Sequence, residues 1–254
     1  MLEIFILALI QGITEFLPIS SSSHLLIVSE FFNFDHDKKL EIDVSLHIGS
    51  FLAVITFFRE DIVNFIKNKI LFIRILIASI PIIIVGLALV QFDLINQFRN
   101  FKIIGWTTLI FGILLFISDK FKLEKEIQKD FSVKSSIVIG FFQVLSLIPG
   151  VSRSGIAITG ARFLSFKRVD AVKISFLLSI PTLAAVSIFG IKNLIYSESF
   201  ELSLSILLSI GFSYFFSFVT IKYFLKYIEK FNLNIFVFYR IVLGIFLIMI
   251  SYKL

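Results

Sequence analysis

Long apolar runs alternate with short polar segments along this chain, and six of the runs are long enough to be candidates for membrane-spanning helices. They cover residues 44–58, 70–90, 103–118, 169–190, 203–221 and 235–252. Most of them approach the roughly 20 residues that a hydrocarbon core about 30 Å thick requires, and we expect the short first and third runs to gain a turn at each end. The pattern predicts an all-α, polytopic membrane protein.

Two further apolar runs are interrupted by polar residues. Residues 1–10 lead into a polar segment that includes the serines 20–23, and residues 137–148 lead into the segment 149–155. Ten helical residues rise only about 15 Å, which is half of the hydrocarbon core. Non-helical backbone at that depth is tolerated only where protein or a water-filled cavity surrounds it. We therefore predict two re-entrant helical hairpins.

The order of these segments predicts an inverted repeat. A hairpin and three spans are followed by the charged loop 119–134, and then by a second hairpin and three more spans. An odd number of spans in each half turns the second half upside down, which brings the two broken helices together near the membrane midplane. We predict one integral-membrane domain over residues 1–254 with about ten helices, one repeat covering about 1–118 and the other about 135–254.

Composition agrees with a lipid environment. Hydrophobic residues make up 57% of the chain and the mean hydropathy is +0.98, values that a soluble domain of this size does not reach. The sequence has no Cys, which excludes disulfides and thiolate metal sites. Its first residues lack a basic segment and a small-residue cleavage site, so we interpret the N-terminus as mature structure.

The positive charge of +6 indicates membrane orientation and not nucleic-acid binding, because Lys and Arg lie in short clusters between the apolar runs. One predicted side carries Arg59, Lys67, Lys69, Arg74, Lys120, Lys122, Lys125, Lys129, Lys134, Arg162, Lys167, Arg168, Lys173, Lys222, Lys226 and Lys230. The other side carries Lys38, Lys39, Arg99, Lys102, Lys192 and Lys253. This bias places the first side in the cytoplasm and both termini outside.

Charged residues inside the hairpins are the first functional candidates. An Arg or an acid near the centre of a membrane helix costs roughly 2.5–3.5 kcal/mol, so Glu15 and Arg153 need a reason to be there. One alternative is a purely structural ion pair between the hairpins. Gln11 lies four residues before Glu15 and shares its helix face, where the two side chains can offer oxygens to a divalent cation or a base to a hydroxyl.

Both polar breaks also contain groups that can bind an anion. The serines 20–23 and Ser152 precede apolar segments, where they can cap helices whose N-termini direct N–H groups at an anion. In the second break Arg153 offers a bidentate fork, Ser154 a hydroxyl, and Gly155 close backbone approach. Together these groups predict a phosphate site in the middle of the membrane.

Three other polar side chains leave alternatives open. His24 follows the serines directly, and can be a base, a nucleophile or a phosphate donor, or simply a polar residue inside the bundle. Asp43 and His47 are spaced by four residues, and we favour an Asp helix cap over a metal site. We expect Arg240 to be buried and paired with an acid.

Two segments resemble the signatures of the undecaprenyl-diphosphatase family, also called bacitracin-resistance proteins. They are QGITEFLPISSSSH from Gln11 to His24 and PGVSRSG from Pro149 to Gly155. The resemblance extends over nearly the whole chain, including 46–50, 179–181 and 239–240. It implies hydrolysis of undecaprenyl diphosphate to undecaprenyl phosphate and inorganic phosphate in the bacterial inner membrane. That reaction recycles the lipid carrier of peptidoglycan synthesis and confers bacitracin resistance.

The resemblance also implies which residues act. Glu15, Ser21, His24 and Arg153 stand at the family's catalytic positions, whereas Gln11 occupies a place that holds Glu in many members. The polar residues that we expect to bind substrate are Gln11, Ser22, Ser152, Ser154 and Gly155.

The expected mechanism is phosphoryl transfer in a water-accessible pocket near the midplane. Arg153 and hairpin N–H groups stabilise the diphosphate, and Ser21 is the candidate nucleophile, activated by Glu15. His24 or water are alternatives to Ser21, and Mg²⁺ or Ca²⁺ bound by Glu15 and Gln11 is the expected cofactor. The prenyl chain leaves sideways into lipid, and the pocket opens to the periplasm. The rival function is a transporter or flippase of the lipid phosphate, because inverted repeats with broken helices are also transporter architecture.

Overall fold

The computed structural model describes residues 1–32, 36–67, 69–92, 98–196 and 203–252. The side chains of Lys38, Lys39 and Lys67, and the whole of Lys253, lie outside the described residues. The helices of the described part are α1 (Leu2–Thr14), α2 (Ser21–Phe32), α3 (His36–Phe57), α4 (Arg59–Lys67), α5 (Lys69–Gln91), α6 (Phe101–Asp119), α7 (Ile127–Asp130), α8 (Val133–Val144), α9 (Arg153–Phe163), α10 (Arg168–Tyr196), α11 (Leu204–Lys230) and α12 (Asn234–Ser251).

The all-α prediction and the six spans are confirmed. Helices α3, α5, α6, α10, α11 and α12 are each long and apolar enough to cross a membrane. The first short run gains more than a turn at its start but none at its end, because α3 spans His36–Phe57. The third run gains less than a turn at each end, since α6 spans Phe101–Asp119 and begins behind an Asn100 cap whose Oδ1 accepts a hydrogen bond from Ile103 N at 2.9 Å. The described part contains twelve helices and not ten. The two additions, α4 and α7, are short and charged, and hydropathy does not detect such helices.

Both predicted hairpins are present. Helices α1 and α2 flank the break 15–20, and α8 with a following 3-10 turn and α9 flank the break 148–152. The second hairpin enters and leaves at one face of the bundle. There Lys125 N donates to Ser165 O at 3.0 Å, and Lys167 N donates to Lys125 O at 3.0 Å. This hairpin therefore turns back inside the protein without crossing it.

The two breaks have the same local construction. Ser20 and Ser152 have positive φ angles of 74° and 70°, a conformation that is uncommon for residues with a Cβ. Each stands directly before a helix, and Ser152 Oγ accepts a hydrogen bond from Gly155 N at 3.1 Å. A fully buried glutamine, Gln11 or Gln143, lies nine residues before each serine. The chain thus reverses direction at matching points of its two halves.

The packing of the helices shows the same correspondence between the two halves of the chain. Helix α1 packs on α11 and α8 packs on α5, while α3 packs on α10 and α6 packs on α12. Swapping the first hairpin and spans for the second maps this set of contacts onto itself. The division of the domain into repeats of about 1–118 and 135–254 stays a prediction, and these contacts support it.

Aromatic packing fixes the first break beside α10. Phe16 follows Glu15 directly, is fully buried, and meets the Phe176 ring edge-on at a centroid distance of 5.5 Å. Phe176 in turn contacts Phe58 and Phe224, both at 6.0 Å. This cluster joins the first break to α10, α11 and the residue that follows α3, and it limits how far the neighbouring carboxylate can move.

A buried ion cluster ties one end of the bundle. The fully buried Arg162 donates through Nε to Asp119 Oδ1 at 3.3 Å, and Arg168 Nε reaches the same oxygen at 2.7 Å. Asp119 Oδ2 accepts from Leu233 N at 3.5 Å. The ends of α6 and α9, the start of α10 and the α11–α12 turn therefore lie at one face, which carries the larger set of basic residues.

Candidate active site

The two hairpin breaks meet through one ion pair. Arg153 Nη2 donates to Glu15 Oε1 at 2.8 Å, and the side chains are 12% and 7% exposed. The other Arg153 amino group, Nη1, donates to Ser175 O at 3.1 Å on α10. The ion pair considered from the sequence alone thus exists, and further polar groups surround it.

The second oxygen of the Glu15 carboxylate holds a serine hydroxyl. Ser21 Oγ donates to Glu15 Oε2 at 2.6 Å, and Gln11 Nε2 donates to the same oxygen at 3.2 Å. A hydroxyl that already donates to a carboxylate is arranged for proton transfer, which is the geometry of an activated nucleophile. Because Ser21 is the first residue of α2, its oxygen also lies at a helix N-terminus.

A cavity of about 210 Å³ opens over these groups. Its polar wall consists of Glu15, Ser20, Ser21, Ser22, His47, Ser146, Ser152, Arg153 and Thr182. A second cavity of about 190 Å³ shares Ser22, His47 and Ser146 with the first and extends to Arg99. The two spaces together form a passage, lined by both polar and apolar side chains, from the ion pair towards the exposed residue Arg99.

The remaining predicted substrate-binding residues are divided between the cavity and the scaffold. Ser22 and Ser152 line the cavity. Gln11 lies buried behind Glu15, and its Nε2 also reaches Ser50 Oγ at 3.5 Å. Ser154 is 1% exposed and donates to Leu17 O at 2.8 Å, which bonds one hairpin to the other.

Gly155 belongs to the scaffold as well. A Cβ at this position would lie 2.8 Å from Arg240 Nη1, so only glycine lets the guanidinium approach α9 so closely. Neither Ser154 nor Gly155 is among the residues that line the two cavities. Both hold the breaks together in the structure.

Both ring nitrogens of His24 contact groups other than the Ser21 hydroxyl. Its Nδ1 lies 2.7 Å from Ser20 O and its Nε2 lies 2.5 Å from the Tyr239 hydroxyl. The two rings stack with their centroids 5.7 Å apart. His24 thus connects α2 to α12, and the carboxylate of Glu15 is the group that accepts the hydrogen bond of the Ser21 hydroxyl.

His47 is the imidazole that lines both cavities, and the sequence did not single it out for this role. Its Nδ1 lies 2.7 Å from Asp43 O, and with the Nδ1 proton donated there Nε2 is left for the cavity. The expected Asp43 cap is wrong, because α3 begins at His36 and Asp43 lies inside the helix. The spacing of four residues was a visible signal, but only the packing of α3 against the hairpins shows where His47 points.

Arg240 holds the two breaks at a common point. Its Nη2 donates to Gly150 O at 3.0 Å and to Val151 O at 2.9 Å, and its Nη1 donates to Pro18 O at 3.4 Å. Its Nε donates to Thr108 O on α6 at 3.2 Å. The expectation of an acidic partner is therefore wrong: in the described part of the chain this buried guanidinium is satisfied by carbonyl oxygens.

The residues beside Glu15 fit a metal only with help from a ligand. Within the described residues no group of three or more His, Cys, Asp or Glu side chains is placed to hold an ion. One oxygen is free, since the buried Gln11 Oε1 accepts no hydrogen bond from the described residues. A Mg²⁺ ion is commonly held by one or two carboxylates together with phosphate oxygens, so Glu15 and Gln11 could hold one when phosphate is present.

The site as a whole suits a phosphorylated ligand. Arg153 and the N-termini of α2 and α9 supply positive charge and N–H donors, and one carboxylate faces the serine hydroxyl. These groups define a class of protein: a polytopic membrane protein with an anion-binding serine–carboxylate centre where two re-entrant hairpins meet.

Comparison with known proteins gives the family. The model of the bacitracin resistance protein BacA family matches residues 4–246, and the chain belongs to that family. A relative from Pelagibacter ubique, named undecaprenyl-diphosphatase, is 50% identical over 99% of this chain and 98% of its own. Relatives of the same name from Saccharophagus degradans and Jannaschia sp. are 41% and 35% identical, and cover 94% and 98% of this chain and 93% and 98% of their own.

Proposed function

We propose that this protein hydrolyses undecaprenyl diphosphate to undecaprenyl phosphate and inorganic phosphate. The observation that carries the proposal is the contact of Ser21 Oγ with the Glu15 carboxylate, 2.6 Å apart, in a cavity that also contains Arg153. The relatives that cover nearly the whole chain are named for this activity. Recycling of the lipid carrier supports cell-wall synthesis and gives bacitracin resistance.

The proposed mechanism starts from the contact between the Ser21 hydroxyl and the Glu15 carboxylate. Glu15 takes the Ser21 proton while Ser21 Oγ attacks the terminal phosphorus, and the bond from that phosphorus to the bridging oxygen breaks. Undecaprenyl phosphate leaves. Water then attacks the phosphorus of the phosphoserine, the bond from phosphorus to Ser21 Oγ breaks, Glu15 returns its proton to that oxygen, and inorganic phosphate is released. Arg153 and the N-termini of α2 and α9 stabilise the charge that spreads over the phosphoryl oxygens.

His47 is suited to bind the phosphoryl group from the α3 side. With the Nδ1 proton donated to Asp43 O, Nε2 is left to contact a phosphoryl group in the cavity. Arg153 lines the same cavity from the second hairpin, and its guanidinium can hold the diphosphate by paired hydrogen bonds. This arrangement orients the terminal phosphorus towards Ser21.

A divalent cation is a further part of the proposal. Mg²⁺ or Ca²⁺ would be held by Glu15 and the free Gln11 Oε1 together with phosphate oxygens. When bound, it would neutralise charge on the diphosphate. Gln11 contributes no charge, so the affinity of the site for a cation depends on the substrate.

Phosphate release from undecaprenyl diphosphate by the purified protein in detergent tests the proposal directly. We expect turnover by the wild type and its loss in Ser21→Ala, because the nucleophile is gone. His24→Ala should keep a measurable part of the activity, since His24 contacts Ser20 and Tyr239. Full activity of Ser21→Ala would favour direct attack by water, and an inactive wild type would contradict the hydrolase function.

We also propose that the site faces the periplasm. The passage from the cavity ends at Arg99, a member of the smaller basic set that the charge bias places outside. At the same end Lys102 lies over the Tyr252 ring at 5.0 Å, which brings together the start of α6 and the end of α12. The buried Arg162 and its partner Asp119 lie at the opposite end, among the larger basic set.

Cysteine labelling checks this orientation, because the chain has no Cys of its own. Ser22→Cys and Ser146→Cys, both in the cavity wall, should react with a membrane-impermeant thiol reagent added to intact spheroplasts. Lys122→Cys is the matched control, since its side chain is 82% exposed at the other end, and it should react only after permeabilisation. Labelling of the cavity positions only after permeabilisation would reverse the orientation, and labelling from both faces would favour the transporter.

A further inference from the structure

His47 lies where the two cavities join. It lines the cavity of about 210 Å³ that contains Glu15, Ser21 and Arg153, and it also lines the cavity of about 190 Å³ that extends to Arg99. Water that enters from the Arg99 end therefore passes a shared wall that includes this imidazole. The contact between Glu15 and Ser21 explains how the serine attacks, but not which group accepts a proton from the water that follows.

The hydrogen bond of His47 determines which ring nitrogen can act as a base. Nδ1 lies 2.7 Å from Asp43 O, and a carbonyl oxygen only accepts hydrogen bonds, so Nδ1 carries a proton. In a neutral imidazole the other nitrogen, Nε2, then has a free lone pair. Within the described part of the chain, Nε2 of His47 has no hydrogen-bond partner. The backbone of α3 thus orients a base whose accepting nitrogen is available to water.

We propose that His47 Nε2 is the general base for the water that hydrolyses the phosphoserine. This role depends on the proposed function, because it belongs to the second half of that reaction. Water attacks the phosphorus and gives a proton to His47 Nε2, while the bond from phosphorus to Ser21 Oγ breaks. Glu15 returns to Ser21 Oγ the proton that it took in the first half. Inorganic phosphate leaves, and the imidazolium releases its proton to solvent.

Glu15 cannot serve both oxygens in this step. Its Oε2 lies 2.6 Å from Ser21 Oγ, and after the first half of the reaction the carboxyl group holds the proton that this oxygen needs in order to leave. The attacking and leaving oxygens of a phosphoryl transfer are roughly in line, so the water approaches from the side away from Ser21 Oγ. A second proton acceptor therefore has to receive the proton of the water.

His47 is the other proton acceptor at this site. Among the described residues that line the 210 Å³ cavity, Glu15 and His47 are the two whose side chains accept a proton near neutral pH. Both ring nitrogens of His24 contact other groups, and Asp43 lines the 190 Å³ cavity alone. His47 is also close enough to Glu15 for their charges to interact. The carboxylate that Glu15 becomes again thus stabilises the imidazolium.

Rapid mixing separates the two halves of the reaction when the purified protein receives undecaprenyl diphosphate with a radioactive terminal phosphate. His47→Gln keeps a polar side chain but has no base. It should form one undecaprenyl phosphate per protein molecule within a few-fold of the wild-type rate. Turnover should then slow by about 10²-fold or more, since a general base contributes at least this much. The label should accumulate on Ser21 and be absent from Ser21→Ala.

Chemical rescue distinguishes a base from a residue that only supports the structure. His47→Ala removes the imidazole from the wall of both cavities, so added imidazole should speed the loss of label from its phosphoserine several-fold and leave the wild type unchanged. Leu40→Gln is the matched control for His47→Gln. It introduces the same residue into the same helix, at a side chain that is 38% exposed and lines neither cavity, and it should turn over as the wild type does.

The possible outcomes separate this role from the proposed function. If His47→Gln were slow without label on Ser21, or failed to form the first undecaprenyl phosphate, His47 would act before the phosphoserine exists and the role would be wrong. Wild-type turnover by His47→Gln, or a phosphoserine in His47→Ala that imidazole does not affect, would overturn it as well. If the wild type released no phosphate from undecaprenyl diphosphate, the hydrolase function itself would be wrong.

Discussion

Glu15→Ala and Arg153→Ala are each expected to abolish phosphate release while the protein still inserts and purifies. Glu15→Ala removes the base that holds the Ser21 hydroxyl. Arg153→Ala removes a donor for charge that develops in the transition state, and loss of one such donor commonly costs ~3–4 kcal/mol, or about 10²–10³ in kcat. Phosphate release measured at saturating substrate checks both variants.

Conservative and paired variants separate catalysis from structure. Arg153→Lys keeps the charge but loses the planar fork, so it should recover only part of the activity. Each single alanine variant leaves one buried charge without its partner, whereas the double variant leaves none. The double variant should therefore unfold at a higher temperature than either single variant and yet remain inactive. Near-normal activity of both single variants would make the pair structural and require other catalytic residues.

The fold was largely predictable because the bilayer imposes lengths on the chain. A span needs about 20 apolar residues, and the breaks at Ser20 and Ser152 interrupt runs too short to cross. The sequence did not predict helices α4 and α7, because they do not cross the bilayer and need no minimum length of apolar residues. Their charged residues lie at the ends of spans, where water satisfies the backbone and hydropathy carries little information.

The site was predictable where burial of a residue is costly. Glu15 and Arg153 stand out at membrane depth, and the structure pairs them. His47 did not stand out, since a histidine four residues after an Asp has several uses. The Tyr239 partner of His24 is 215 residues away in the sequence, and no local sequence pattern predicts such a contact.

Arg240 shows the limit of reasoning from charge alone. A buried guanidinium suggests an acidic partner. The hairpin breaks, however, contain carbonyl oxygens that need hydrogen-bond donors. Broken helices leave carbonyl oxygens without intrahelical donors, and in lipid each unsatisfied group is costly. Arg240 donates to Pro18, Gly150 and Val151 carbonyls, so the break geometry itself explains the buried charge.

Arg240→Met is therefore expected to be the most destabilising single substitution near the site. It keeps an unbranched side chain but leaves the carbonyls of both breaks and of Thr108 without their donor. Hydrogen bonds to a charged group contribute about 1.5–3 kcal/mol each, and because they are not additive we expect a net loss of about 3 kcal/mol or more. The thermal unfolding temperature in detergent should fall, and phosphate release should be lost with it, because the break that carries Arg153 is no longer fixed.

The control for this variant is Val242→Met on the same helix, where the side chain is 50% exposed and faces away from the breaks. It introduces the same residue and should leave both the unfolding temperature and the activity near those of the wild type. Arg240→Lys should fall between the two, since an ammonium can satisfy some of the carbonyls but cannot span both breaks at once. If Arg240→Met unfolded at the temperature of Val242→Met and kept its activity, the two breaks would be held together without the guanidinium, and the Ser154 contact with Leu17 O would have to suffice.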